Sequence, residues 1–212
     1  MGFIKGFTAT AILKNSITKK DKQNCISILI KEGFLGYDYE LESYVDFNIV
    51  LEKYPNRPRY LSKYRNEDFI ISCLEGKKYL GYNIDNDGKN SKIIIKVTNE
   101  ICKTLDSISY VYIDDLGNSP DYIVESIENK LLKWLFKYNY FGNDFIEKFG
   151  KDFFTNMPCV KHEFLTNEII KIDLVKDIFS PIDKSLMKEV SDYLKTFSIN
   201  VNFYNHKNFL ID

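Results

Sequence analysis

Apolar residues crowd the start of the chain, and the run from Phe3 to Leu13 predicts a strand. Thr18 with Asp21 three positions later forms a capping-box pattern. Ile26, Leu29 and Ile30 then mark one apolar face that stops at Gly33, which predicts a short amphipathic helix. Tyr39, Leu41, Tyr44, Val45, Phe47 and Ile49 predict one or two strands. Tyr54 to Arg65 holds Pro55 and Pro58 and shows no apolar period, so a loop is expected there. Phe69 to Leu74 predicts a strand. Tyr79 to Ile84 and Lys92 to Val97 flank a polar segment and predict a hairpin turning near Asp87-Gly88. Ile108 to Ile113, rich in β-branched and aromatic residues, predicts another strand.

The second half opens with the strongest helical pattern. Ser119 suits an N-cap and Pro120 the first helical position. Ile123, Ile127, Leu131 and Leu135 follow at four-residue spacing, widened by Trp134 and Tyr138. Phe145 to Phe154 predicts a shorter helix after Gly142, and Ile169 to Val175 a strand. Ser180-Pro181, with Asp183 completing a capping box, predicts a helix that turns Leu186, Met187, Val190, Leu194 and Phe197 inward. Ile199 to Tyr204 predicts a last strand. The order strand, Asp, loop, Ser-Pro, helix occurs twice, around Asp115 and Asp177. Ser-Pro is a common helix opening, so coincidence is the simpler reading. Hairpins mixed with strand–helix units predict an α+β fold: a mixed, largely antiparallel sheet with amphipathic helices packed on it. Residues 1–212 are expected to form a single compact domain, with room for two lobes meeting near Phe69 or Gly117.

Composition changes the picture at three points. Aromatic residues reach 15%, with 16 Phe and 15 Tyr, so the core should be ring-rich with phenol hydroxyls at its edges. The net charge is −1, which does not fit a general nucleic-acid coat, a polybasic membrane binder or an acidic mimic. Cys25, Cys73, Cys102 and Cys159 are scattered without a C-x-x-C pair, so free thiols are expected. No apolar run is long enough to span a bilayer, and the N-terminus lacks signal-peptide character, so a cytoplasmic location is expected.

The arginines give the clearest positional signal. Arg57, Arg59 and Arg65 are the only three in the chain, and they alternate with Tyr54, Tyr60 and Tyr64 in one short segment. Guanidinium forks and phenol rings are the groups that anchor protein interfaces, and they can also grip phosphate. The plainer alternative is that the arginines pair with neighbours such as Glu52 or Glu67 and staple the loop.

Tyr110 to Leu116 reads YVYIDDL, and Tyr112, Asp114 and Asp115 resemble the Tyr-x-Asp-Asp box of reverse transcriptases. The resemblance implies two carboxylates that help hold catalytic metal ions. It covers about seven residues, without an upstream partner aspartate, in a chain short for a polymerase palm with fingers. Asp121 and Glu125 lie close enough in sequence to join another metal-dependent phosphodiester site. Asn83, Asp85, Asp87 and Gly88 match part of a calcium loop, but Ile94 stands where a bidentate Glu is needed. His162 and His206 lack ligand-spaced partners, and no Walker or dinucleotide fingerprint is present, so no cofactor or metal is expected.

The leading expectation is therefore an intracellular, non-enzymatic protein-binding protein. A bacterial immunity or antitoxin-type inhibitor that occludes a partner surface is its concrete form. The binding surface would comprise Tyr54, Arg57, Arg59, Tyr60, Tyr64 and Arg65. The alternative is a metal-dependent phosphodiester- or nucleotide-processing enzyme using Asp114 and Asp115. A homo-oligomer that buries its aromatic surface against itself is the third reading; a nucleic-acid or membrane partner is not expected.

Overall fold

The computed structural model describes residues 6–73, 75–85, 92–115 and 121–203. The fold is α+β, with largely antiparallel sheet and amphipathic helices packed on it. No helix among the described residues is long and apolar enough to cross a membrane. The chain divides into two compact units, 1–107 and 108–212.

In the first unit, strands β1 (Gly6–Leu13), β2 (Leu35–Asp38), β3 (Ser43–Asp46), β4 (Arg59–Tyr64), β5 (Glu67–Cys73) and β6 (Tyr79–Asp85) run in the order β1-β6-β5-β4-β2-β3. Every neighbouring pair is antiparallel. Helix α1 (Lys19–Lys31) starts as its sequence predicts: Thr18 accepts from the Asp21 amide, and the Asp21 carboxylate accepts from the Thr18 amide. Helices α2 (Phe47–Lys53) and α3 (Lys92–Thr104) both pack against α1. Alternation along β5 buries Phe69, Ile71 and Cys73 on the helix side and leaves Asp68, Ile70 and Ser72 on the other. A Cβ on Gly36 would sit 2.5 Å from the Phe47 ring and 2.8 Å from Val50, so a bare backbone lets α2 lie on β2.

Three expectations in this unit are corrected. Lys92–Val97 is the start of α3 and not a strand, so the hairpin is absent; its turn, 86–91, lies outside the described residues. The β-branched run Ile93-Ile94-Ile95 imitates a strand, but buried Ile94, Val97, Thr98, Ile101 and Cys102 follow helical spacing. Phe47 and Ile49 belong to α2, whose first turn is capped by the Asp46 carboxylate. The stretch from Arg59 to Tyr64 is a strand. Its polar residues alternate with Tyr60 and Ser62 and so hide the period of two.

In the second unit, β7 (Ile108–Asp115), β9 (Tyr138–Phe141), β10 (Lys161–Thr166) and β11 (Ile169–Asp173) form antiparallel pairs in the order β10-β11-β9-β7. β8 (Trp134–Leu135) pairs in parallel with β12 (Asn202–Phe203). The predicted long helix is corrected: α4 (Asp121–Glu128) ends early, and Lys130 adopts φ 54° as the chain turns away. Trp134 and Leu135 then lie in a strand, so their four-residue spacing was coincidental. The expected helix over Phe145–Phe154 is split into α5 (Asn143–Phe149) and α6 (Lys151–Thr155) at Gly150, whose φ of 86° favours glycine. Helix α7 (Lys184–Lys195) is capped by Asp183, which accepts from the Ser185 amide, and not by Ser180. Val190 and Leu194 are buried, but Phe197 is exposed.

Rings fill this second core. Tyr112 stacks on Phe136 at 3.9 Å, and Phe141 contacts Tyr110, Phe145 and Phe154. Asn139, fully buried, accepts from the Tyr110 hydroxyl at 2.6 Å and the Phe136 amide at 2.9 Å, and donates to the Phe136 carbonyl at 2.7 Å.

Candidate functional site

Strand β4 sorts the predicted residues by its period. Tyr60 points inward and is 0% exposed; its hydroxyl donates to the Tyr54 carbonyl at 2.8 Å. Lys22 of α1, also buried, donates to the Pro55 carbonyl at 2.6 Å and holds its ammonium 5.1 Å from the Tyr60 ring. Tyr60 thus anchors the connection from beneath, and the expectation that it contacts a partner is corrected. Tyr64 is half-buried against Phe34, and Arg65 forms the β4–β5 turn with φ 56° and its guanidinium 5.4 Å from the Tyr64 ring.

Arg57 lies over Tyr39 at 3.6 Å and over Tyr54 at 5.0 Å. Such cation–ring contacts contribute about 0.5–1 kcal/mol each at exposed sites, and they hold the guanidinium still while leaving its edge for other acceptors. The stack is fastened below by Asp38, which is 0% exposed. Asp38 accepts from Lys53 at 2.9 Å, the Tyr54 hydroxyl at 3.2 Å and the amides of Glu40 and Leu41. Burial alone would raise its carboxyl. The Lys53 ammonium, these amides and the phenol outweigh that and hold it at about 2. Lys53 is pushed up in turn by Glu40 and Asp38.

The outward face of the strands carries the other part of the surface. Arg59, Leu61 and Lys63 face outward on β4, opposite Ser72, Ile70 and Asp68 on β5. Leu35 is registered with Lys63, and Leu35 and Leu61 are 43% and 37% exposed, a large fraction for aliphatic side chains on strands with a neighbour on each side. Arg59 is exposed and has no side-chain partner among the described residues. Lys63 lies 4.7 Å from the Tyr44 ring, and the Tyr44 hydroxyl donates to Asp68 at 2.9 Å. Burial first, and then Asp68, push that phenol up to about 12. Tyr37 touches both Tyr44 and Tyr39 at 5.2 Å, so a chain of ring contacts runs from Tyr44 through Tyr37 and Tyr39 to Tyr54.

No family model matches this chain, and no curated protein matches it. The site therefore stands on its geometry.

Sequence reasoning missed Tyr37, Tyr39, Tyr44, Leu35 and Leu61. The cross-strand register that gathers them is a tertiary fact; the only local sign was Tyr37-Asp38-Tyr39, dense in rings. The alternative residues lie in the second unit. Asp114 is 2% exposed at the end of β7, while the side chains of Asp115 and Asp121 lie outside the described residues; Glu125 is exposed. Among the described residues, no group of three or more His, Cys, Asp or Glu could hold a metal ion. Ile94 is buried in α3; the side chains of the calcium-loop candidates lie outside the described residues. His162 is exposed on β10, and His206 also lies outside the described residues. None of the four cysteines is in a disulfide. Burial, and then Asp173, push the half-buried Cys159 thiol up, away from nucleophile behaviour.

Proposed function

We propose that this chain is a non-enzymatic protein-binding protein that acts by occlusion, in the manner of a bacterial immunity or antitoxin-type inhibitor working in the cytoplasm. The first unit would cover a partner's functional surface with the outward face of β2, β4 and β5. Leu35, Leu61 and Tyr37 would supply the dry centre, and Arg57 and Arg59 the directional hydrogen bonds. The observation that carries the reading is the state of the arginines. Among the described residues Arg57 lies over two rings and makes no ion pair, and Arg59 stands exposed without an internal partner. The plainer reading, in which these two guanidiniums staple the loop through the chain's own carboxylates, finds no such contact among the described residues; Tyr60 and Lys22 hold the loop instead.

Asp68 lies on the same face opposite Lys63, and Glu40 pairs with Lys53 under the Arg57 stack. They would repel a polyanionic backbone and tolerate a single carboxylate, which favours a protein over a nucleic acid. The test is site-specific photo-crosslinking in the cells that make the protein. A benzophenone amino acid at Leu61 is expected to capture one protein, and the capture to fail in the R57A/R59A background. The same probe at Phe164, exposed in the second unit, is expected not to capture it. Equal capture from both positions would contradict the proposal.

A further inference from the structure

Strand β10 lies at the outer edge of the second unit's sheet. Among the described residues it is paired on one side only, with β11. Such an edge presents amide and carbonyl groups to any strand that fits them, and proteins commonly guard it with charge, proline or a bulge. β10 has a bulge between Phe164 and Thr166, so the regular part of the edge lies before it. The charges there are not of one sign: Lys161 and Glu163 pair with each other at 2.8 Å. Two apolar side chains also stand open on this short stretch, Val160 at 42% and Phe164 at 43% exposure.

The register with β11 sorts these side chains by face. Lys161 stands opposite Asp173 and Glu163 opposite Lys171, so each row across the pair joins opposite signs. Lys171 and Asp173 are buried and bridged at 3.1 Å, which fixes the inner end of both rows. Alternation sets Val160, His162 and Phe164 on the other face. There His162 is opposite Ile172 and Phe164 opposite Ile170, with the Lys151 ammonium 5.8 Å from the Phe164 ring. Val160 precedes the strand but stays beside β11, its amide donating to the Asp173 carbonyl at 2.9 Å.

We infer that β10 is a dimerisation edge: two copies of this chain pair their β10 strands antiparallel about a two-fold axis at His162. The stretch Val160-Lys161-His162-Glu163-Phe164 is complementary to its own reverse. Centred on His162, each Lys161 meets Glu163 of the second copy, and each Val160 meets Phe164 of the second copy. Opposite charges and a β-branched residue against a ring are favourable pairs directly across strands. Each charged row then runs Asp173, Lys161, Glu163, Lys171 over four strands and alternates in sign from end to end. Moving the centre by one residue sets Lys161 against Lys161, or Glu163 against Glu163, so the charges specify one register. The same patch serves both copies, as a two-fold interface requires. This inference concerns the second unit alone and does not rest on the binding reading.

The test is sedimentation equilibrium of the full chain from micromolar to millimolar concentration. The expected result is a reversible rise to twice the chain mass. His162→Asp sets a carboxylate against its own copy on the axis and is expected to weaken the dimer about tenfold or more. Its unfolding in urea is expected to match wild type, because His162 is exposed. A benzophenone amino acid at Phe164 is expected to join two chains through the peptide that carries Val160. A chain that stays monomeric at millimolar concentration would overturn the inference. So would a dimer that His162→Asp leaves at full strength, or a Phe164 cross-link to a segment away from Val160. The wild-type masses and the cross-linked peptide decide the question even where His162→Asp does not fold.

Discussion

Both units are rich in rings, but they use them in opposite ways. In the second unit, Tyr110, Tyr112, Tyr140, Phe136, Phe141 and Phe154 are almost wholly buried, and the Tyr110 hydroxyl is satisfied internally by Asn139. In the first unit, Tyr37, Tyr39, Tyr44 and Tyr54 stay half-exposed, and cations are drawn to them: Arg57 over Tyr39 and Tyr54, Lys63 over Tyr44. The difference lies in register. On β9, between two neighbours, every residue is buried. On β2 and β3, at the end of the first sheet, one side is covered by α2 and the other faces water. Rings closed on all sides give stability; rings left half-open beside fixed cations give a surface that can bind.

The largest effect is expected where the closed region is broken. Asn139→Ala leaves the Tyr110 hydroxyl and both polar groups of Phe136 without their buried partner and should cost about 3 kcal/mol, read by urea unfolding. A loss below about 0.5 kcal/mol would show that the closed core does not depend on this side chain. Next, Gly36→Ala drives a methyl into Phe47 and Val50. It should cost about 2 kcal/mol as α2 is pushed off β2, and it should also weaken partner binding by displacing Tyr54.

Acid sharpens the comparison further. The folded-state value of Asp38 lies at about 2, below its ordinary 3.8. Its stabilisation is therefore fully present above about pH 4 and is lost as pH falls through 2. An NMR titration of its carboxyl carbon should show the low midpoint. Asp38→Asn should destabilise the protein at neutral pH and match wild type near pH 2. The smallest effect on stability is expected from Arg59→Ala, within about 0.5 kcal/mol, because nothing inside the described molecule depends on that side chain.

How far these regions could be read from the sequence follows the same division. Helix α1 was legible because its capping box is local, four residues that satisfy one another. β7 and β11 were legible because their apolar, β-branched runs are long. Helix α3 was not, because Ile93-Ile94-Ile95 satisfies a strand pattern as well as a helical one, and only packing decides between them. β4 was hidden because its outward residues set apolar Leu61 between Arg59 and Lys63, and its buried residues include polar Ser62. Arg57 and Arg59 were found because arginine is so scarce in this chain. Of the two tyrosines that cradle Arg57, Tyr54 was found and Tyr39 was not, because Tyr39 reaches Tyr54 only through the fold.

The most direct measurement is the affinity of the captured protein for wild type and for R57A/R59A, by calorimetry with matched unfolding curves. The account predicts at least a hundredfold weaker binding, about 2.7 kcal/mol, with unfolding unchanged. Equal affinity for the two forms would contradict it, since the partner would then be held elsewhere.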